Sequence, residues 1–317
     1  MTELWFEIEA RCNLRCQFCY NPWRPAGSVQ PAALSTGEAI TALKRCIDAL
    51  RCRKVVFSGG EPLLRDDLEE IVHVARDRGA RCVVTTNGTL LTPNRTKSLI
   101  DAGVGLFQVP VLSHDPAVHD ELSGRRCFRD VIGNLILARD LEVPIVPIFV
   151  ATRKNISDLL RVLKLCYVLQ CTIVVFNRFL PGGLGLCNRD LLNLDDDALV
   201  GALQSAETFA AAHGMKILLG TPVPGFGACH RAKAILETDC PVDAGRGKPT
   251  LSPSGSLRQC TQTEIERGNV LDEDVGEIVV RLGSLDTGSG NVLKGCRFEC
   301  REEPQIQGHA FRSMPNR

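Results

Sequence analysis

The chain has 317 residues, 44% of them hydrophobic, which is enough for one large core and a small annex at about 100–200 residues per domain. Lys plus Arg (37) equal Asp plus Glu (37), so no global field draws the chain to a phosphate backbone or an anionic bilayer, and neither nucleic acid nor membrane is an expected partner. The N-terminus MTELWFEIEA has no basic segment before an apolar stretch, and the longest nearly apolar run, 143–151, is half a membrane span with two prolines, which predicts a soluble cytoplasmic protein.

A first strand is predicted over 4–9, and directly after it ARCNLRCQFCYN places Cys12, Cys16 and Cys19 in a C-x3-C-x2-C spacing. Helix 35–50 opens on Ser35 and Glu38, a capping box. Strand 54–57 runs into FSGGEPLLR and is followed by helix 66–78 and strand 81–86. Helix 93–101, with a Thr92 cap and Pro93 at its first position, leads to strand 105–111. Helix 129–141, strand 144–150, helix 157–168 and strand 172–176 complete the series.

Six β/α units are three-quarters of a TIM-like barrel, so the expected class is α/β: a partial TIM-like (β/α)6 barrel over 1–215, with active-site residues in the loops after its strands. Beyond 176 the pattern loosens into NRFLPGGLGLC, and an amphipathic helix over 195–213 closes the barrel-like region. Residues 216–317 are rich in Gly, Pro and Cys with few long apolar runs, so a small C-terminal domain is expected that needs a staple.

Fifteen cysteines in a reducing compartment suggest metal ligands more than disulfides. Three thiolates in one loop can hold three irons of a 4Fe–4S cube and leave the fourth open; a zinc site borrowing a histidine, or three buried thiols, are the plainer readings. Position favours the cube, because the loop lies on the catalytic face of the barrel. The motif, with Phe18 before the third cysteine, resembles the cluster loop of the radical S-adenosylmethionine superfamily, and Ser58, Gly59, Gly60 and Glu61 resemble its GGE motif.

The resemblance implies that the methionine amino and carboxylate groups of S-adenosylmethionine chelate the open iron. Reductive homolysis then gives a 5′-deoxyadenosyl radical that takes hydrogen from substrate. It implies further that the Gly59-Gly60 backbone and the Glu61 carboxylate receive the amino group, that Phe18 lines the adenine side, and that Asn87 and Arg153 reach the cofactor from later strand ends. Where many relatives carry a serine after the fourth strand this chain has Pro110, with no hydroxyl or N–H to offer, and Ser113 is the expected substitute.

Cys240, Cys260, Cys296 and Cys300, with Gly255 five positions before Cys260, resemble the SPASM auxiliary-cluster domain in its short form, Twitch. LSPSG would be its hairpin turn and RGNVLDED the start of its helix. One auxiliary 4Fe–4S cluster, fully ligated by protein, is implied beside the radical cluster; a zinc ribbon is the alternative. Cys46, Cys52, Cys82, Cys127, Cys166 and Cys171 read as core or surface residues, and no histidine is assigned to metal.

The expected substrate is a small hydroxylated molecule, such as an aminocyclitol or amino sugar on a biosynthetic pathway, because the first barrel strand begins at about residue 4 with no leader-recognition domain before it. A peptide-modifying enzyme is the runner-up, and a non-enzymatic iron–sulfur electron carrier or scaffold a distant third. A flavodoxin- or ferredoxin-type reductant would supply the electron. Cys229 is spare once four ligands are counted, so it is the expected hydrogen donor of an epimerisation, with Cys187 in reserve; dehydrogenation is the competing outcome. Glu7, Glu9 and Arg178 are expected at the barrel's mouth, where an ordinary ion pair is the plainer reading.

Overall fold

A computed structural model describes residues 3–223, 226, 234–236 and 248–283. Six parallel strands lie where the β-branched runs predicted them: β1 (Glu3–Glu9), β2 (Lys54–Gly59), β3 (Arg81–Thr85), β4 (Val104–Pro110), β5 (Ile145–Ala151) and β6 (Ile173–Arg178). Between and after them come α1 (Thr36–Leu50), α2 (Leu68–Asp77), α3 (Pro93–Ala102), α4 (Pro116–Ser123), α5 (Phe128–Asp140), α6 (Leu159–Val168), α7 (Gly183–Cys187), α8 (Arg189–Leu192) and α9 (Asp196–Ala212). The capping box of α1 closes in both directions between Ser35 and Glu38, and the Thr92 hydroxyl caps α3 by accepting from Arg95 N.

Leu4, Phe6 and Ile8 of β1 and Val55 and Phe57 of β2 join the helices in the main core, as do Val84, Phe107, Phe149 and Phe176. The alternation of a strand then turns Trp5, Glu7 and Glu9 to the opposite, concave face. A second apolar cluster of Val146, Ile148 and Val175 lies on that concave face. Cys46, Cys52, Cys82, Cys127 and Cys166 are buried and Cys171 half-buried, all in or against the main core; burial pushes Cys46 and Cys82 up to about 12, so they behave as small apolar groups.

The sheet does not stop at six strands. β7 (Lys216–Leu219) pairs with β6, and β8 (Ile235–Leu236) with β7, so the parallel sheet runs past the boundary expected at 215. At its other end β9 (Thr250–Leu251) pairs parallel to β1 and turns back into β10 (Ser256–Arg258), which pairs with β11 (Glu266–Asn269) ahead of α10 (Val275–Gly283). Within LSPSG, residues 252–255 form the turn between β9 and β10, where the resemblance implied a hairpin turn. The hairpin covers the edge that an incomplete barrel leaves open on β1, and Trp5 N donates to Pro249 O across the join. The eleven strands run in the order β11-β10-β9-β1-β2-β3-β4-β5-β6-β7-β8. Among the described residues no helix is long and apolar enough to cross a membrane.

Candidate active site

The loop carrying Cys12, Cys16 and Cys19 leaves the C-terminal end of β1 and is held from three sides. The last carbonyls of a helix have no partner within it, and here those of α4 are used: Leu122 O accepts from Gln17 N (2.8 Å) and Ser123 O from Arg15 N (3.2 Å). Gly124 ends α4 at φ +69° beside Arg15, and a Cβ there would stand 2.3 Å from Arg15 O, so only glycine permits the contact. From β2, Gly60 N donates to Glu9 O (2.6 Å) and Glu61 N to Arg11 O (2.8 Å), which carries the parallel pairing into the loop; a Cβ on Gly60 would lie 2.1 Å from Arg11 O. From α7, Gly185 N donates to Cys19 O (2.9 Å).

All three cysteines are half-buried. Burial holds the Cys12 thiol above its usual range, Cys16 well above it and Cys19 up to about 11, so in the unliganded chain all three are protonated. Arg24, whose guanidinium donates to Leu14 O, opposes this at each sulfur and would offset the negative charge of metal-bound thiolates. Cys12 Sγ also accepts weakly from Leu14 N (3.4 Å) and Asn87 Nδ2 (3.9 Å). Three soft sulfur donors in one loop suit an iron–sulfur cluster, and the residues fit a 4Fe–4S group with one iron left for an exogenous ligand.

Ser58 and Gly59 end β2, Gly60 and Glu61 follow it, and the Glu61 carboxylate turns inward. It is fully buried and accepts from Leu63 N (3.1 Å), Thr86 Oγ1 (2.6 Å) and Asn87 N (2.8 Å). Burial pushes it up to about 7 against these donors. These contacts lock the β2 and β3 loops together. Asn87 lies against the cluster loop, donating to Asn13 Oδ1 (2.8 Å) and accepting from Thr89 Oγ1 (2.6 Å). Phe18 packs on the apolar cluster of Leu112, Leu122, Phe179 and Leu192.

Ser113 and Arg153 stand differently from the expectation. The Ser113 hydroxyl is fully buried, donates to Asp158 and accepts from Asp115 N (2.9 Å), so it is committed within the loop after β4. Arg153 is exposed and its guanidinium donates to Asp190 O (3.0 Å), outward across α8. Arg178 shares the parity of Val174 and Phe176, which face the helices, and its Nε donates to Pro222 O (2.6 Å); it ties β6 to the segment after β7 and does not open into the mouth. Asn177 beside it has the concave-face parity.

Glu9 pairs with Arg11 at 2.7 Å, whereas Glu7 pairs with Arg258, both side chains almost wholly buried. Burial pushes Glu7 up to about 7 against the attraction of Arg258. This contact spans 251 positions and brings the strand before Cys260 to the first barrel strand. Cys260 is half-buried. Cys187 is exposed at the end of α7. Cys229, Cys240, Cys296 and Cys300 lie outside the described residues. His119, Asp120 and Cys127 have ligand atoms close enough for a metal ion, but Asp120 Oδ1 already accepts from Cys127 N (2.9 Å) and Phe128 N (2.7 Å) at the start of α5, which makes the group a helix cap.

Residues 7–166 match the model of the radical SAM superfamily. The AdoMet-dependent heme synthase of Nitratidesulfovibrio vulgaris is 25% identical over 291 residues, covering 86% of this chain and 77% of that protein. Streptococcus suis SuiB bound to S-adenosylmethionine has a similar structure, with a TM-score of 0.68 at 16% identity over 87% of this chain. This chain spans 65% of SuiB. The structure of anSMEcpe with bound AdoMet gives 0.67 at 16% identity, covering 87% of this chain and 77% of that one. At these identities the two solved structures speak for the fold.

Proposed function

The chain belongs to the radical SAM superfamily, and from that membership we propose that it is an epimerase: it moves hydrogen from a C–H bond of a small hydroxylated substrate of the aminocyclitol or amino-sugar type to 5′-deoxyadenosine, a protein thiol delivers a different hydrogen atom to the opposite face, and one electron from the reductant with one proton restores the thiol. It is a radical SAM enzyme that binds S-adenosylmethionine and one 4Fe–4S cluster through Cys12, Cys16 and Cys19. When bound, the reduced cluster and its cofactor supply a 5′-deoxyadenosyl radical at the mouth of the barrel. The protein's share is to hold the cysteine loop through Leu122, Ser123, Gly60 and Gly185, and to keep water from the concave face.

One observation carries the finer reading: the β9–β10 hairpin lies on the edge of β1, and the buried Glu7–Arg258 pair ties the strand before Cys260 to the first barrel strand. That supports an auxiliary 4Fe–4S cluster held by Cys240, Cys260, Cys296 and Cys300, close to the substrate. A flavodoxin- or ferredoxin-type protein in the cytoplasm would reduce the radical cluster. With four ligands assigned, Cys229 is the thiol donor and Cys187, on the helix docked against the cluster loop, its reserve. The relatives' names, a heme synthase and a protein solved with a precursor peptide, point to two different substrate classes, so they do not choose between them.

The distinguishing experiment follows the product in heavy water. Epimerisation predicts one deuterium at the inverted carbon, and Cys229→Ala should still form 5′-deoxyadenosine while losing the epimer. A product two mass units lighter than substrate, from a Cys229→Ala variant of full activity, would mean dehydrogenation with the auxiliary cluster as electron acceptor.

A further inference from the structure

We propose that Glu7, Ser58 and Asn21 form a recognition site on the concave wall of the barrel for the protonated amine of the substrate. This rests on the reading of a small-molecule radical SAM enzyme and adds which substituent the enzyme grips.

The three residues meet at one place. Glu7 and Ser58 are register partners on β1 and β2, and Asn21 reaches the next residue of β2 by donating its amide to Gly59 O (2.8 Å). Their exposures are 0%, 3% and 2%. Each has a buried atom without a partner among the described residues: Glu7 Oε1, the Ser58 hydroxyl and Asn21 Oδ1. The Gly59 contact fixes which end of the Asn21 amide carries the oxygen. Buried polar atoms are ordinarily satisfied, so three together on one wall are an exception that calls for a partner.

The wall offers mostly acceptors. Glu7 Oε1 and Asn21 Oδ1 can only accept, and the Ser58 hydroxyl can accept as well as donate. The nearest cation, Arg258, is engaged by Glu7 Oε2 and by Thr263 O (2.8 Å) and has its Nε without a partner among the described residues, so a carboxylate or phosphate would find that one cationic donor and would face the Glu7 carboxylate. A neutral hydroxyl can meet one acceptor. An ammonium carries three donors and a charge that offsets the carboxylate. The place also suits the chemistry, since Glu7 and Ser58 are register partners on the two strands that lead into the cysteine loop and the Gly59-Gly60 turn. An ion pair that only tethers the hairpin to β1 would account for Glu7 Oε2 and leave the Ser58 and Asn21 atoms unexplained.

The test is isothermal titration of the anaerobically reconstituted, S-adenosylmethionine-bound holoenzyme with three six-membered rings: 2-deoxystreptamine, myo-inositol and quinate. The diamine is expected to bind about tenfold or more tighter than the neutral hexol and the acidic ring, and Glu7→Gln, which keeps an acceptor without the charge, should abolish that preference. A crystal of the wild type with 2-deoxystreptamine, which needs no variant to fold, should place an amine nitrogen within hydrogen-bond distance of Glu7 Oε1. Equal affinities, no binding of any ring, preference for quinate, a preference that survives in Glu7→Gln, or Oε1 bonded to a protein atom would each overturn the inference. Cleavage of S-adenosylmethionine by the wild type without any ring separates the two levels: if it fails the functional reading falls, and if it succeeds with no amine preference only the recognition site does.

Discussion

Replacing Cys12, Cys16 and Cys19 together with alanine is expected to remove one 4Fe–4S complement from the anaerobically reconstituted protein and to bring 5′-deoxyadenosine formation down to the enzyme-free background. The reason is chemical. The cluster performs the electron transfer, and no backbone or oxygen ligand in the loop replaces a thiolate for iron. The loop itself should survive, because its anchors are main-chain bonds to Leu122, Ser123 and Cys19 that alanine retains. Far-UV circular dichroism should therefore stay near the wild type while iron, sulfide and activity fall together. Cys260→Ala should instead remove the auxiliary cluster proposed above and leave the open-iron signal in place. Retained cleavage in the triple variant would mean that the radical chemistry is housed elsewhere.

Arg258→Ala is expected to destabilise the apo-protein by about 3–5 kcal/mol at pH 8, since it leaves the Glu7 carboxylate buried without its counter-charge. The loss should depend on pH in a defined direction. Burial already raises Glu7 from 4.5 to about 7, and a carboxyl that holds its proton more tightly when folded contributes stability below the unfolded value that is lost as pH rises through the folded one. Without Arg258 the folded value rises further, so the deficit should shrink toward pH 5, where Glu7 is protonated and neutral. The double variant Glu7→Leu/Arg258→Met, which removes both charges, should recover most of the stability. Denaturant unfolding at pH 5 and pH 8 checks this; a small loss, equal at both, would show that the pair is hydrated and does not tie the hairpin to β1.

These residues also mark where sequence reasoning reached and where it stopped. The strands were legible because parallel strands buried on both faces read as short β-branched runs, and the observed β4 and β5 begin within a residue of the predicted 105 and 144. The cluster loop was legible because its three cysteines are contiguous and its position after β1 follows from the β/α order. Long-range features have no such local signature. The partnership of Glu7 with Arg258 spans most of the chain, and two-residue strands such as β8 and β9 exist only through pairing with a neighbour. The α4 helix is eight residues between two apolar segments, too short for its period to show, yet its end carries the cluster loop.

Side-chain direction was the other limit. Parity along β6 was open from sequence, and it decides that Arg178 faces the helices while Asn177 takes the concave-face position. Ser113 was chosen for its closeness to Pro110 in the chain, but the buried Asp158 carboxylate takes its hydroxyl. Glu61 matched its motif in place, and its inward direction, with three donors around one buried carboxylate, had no signal in the sequence. Arg24 had no signal in the sequence beyond being a cation near three cysteines, and its contact with Leu14 O is what fixes it there.

The most direct measurement uses the wild type alone. Purified protein, reconstituted anaerobically with iron and sulfide, is mixed with S-adenosylmethionine and dithionite, and the products are separated by liquid chromatography. An open iron beside the Gly59-Gly60 backbone predicts 5′-deoxyadenosine and methionine in equal amounts, slowly without substrate and faster with it. Intact S-adenosylmethionine, or S-adenosylhomocysteine in place of 5′-deoxyadenosine, from protein that holds its full iron and sulfide would contradict it.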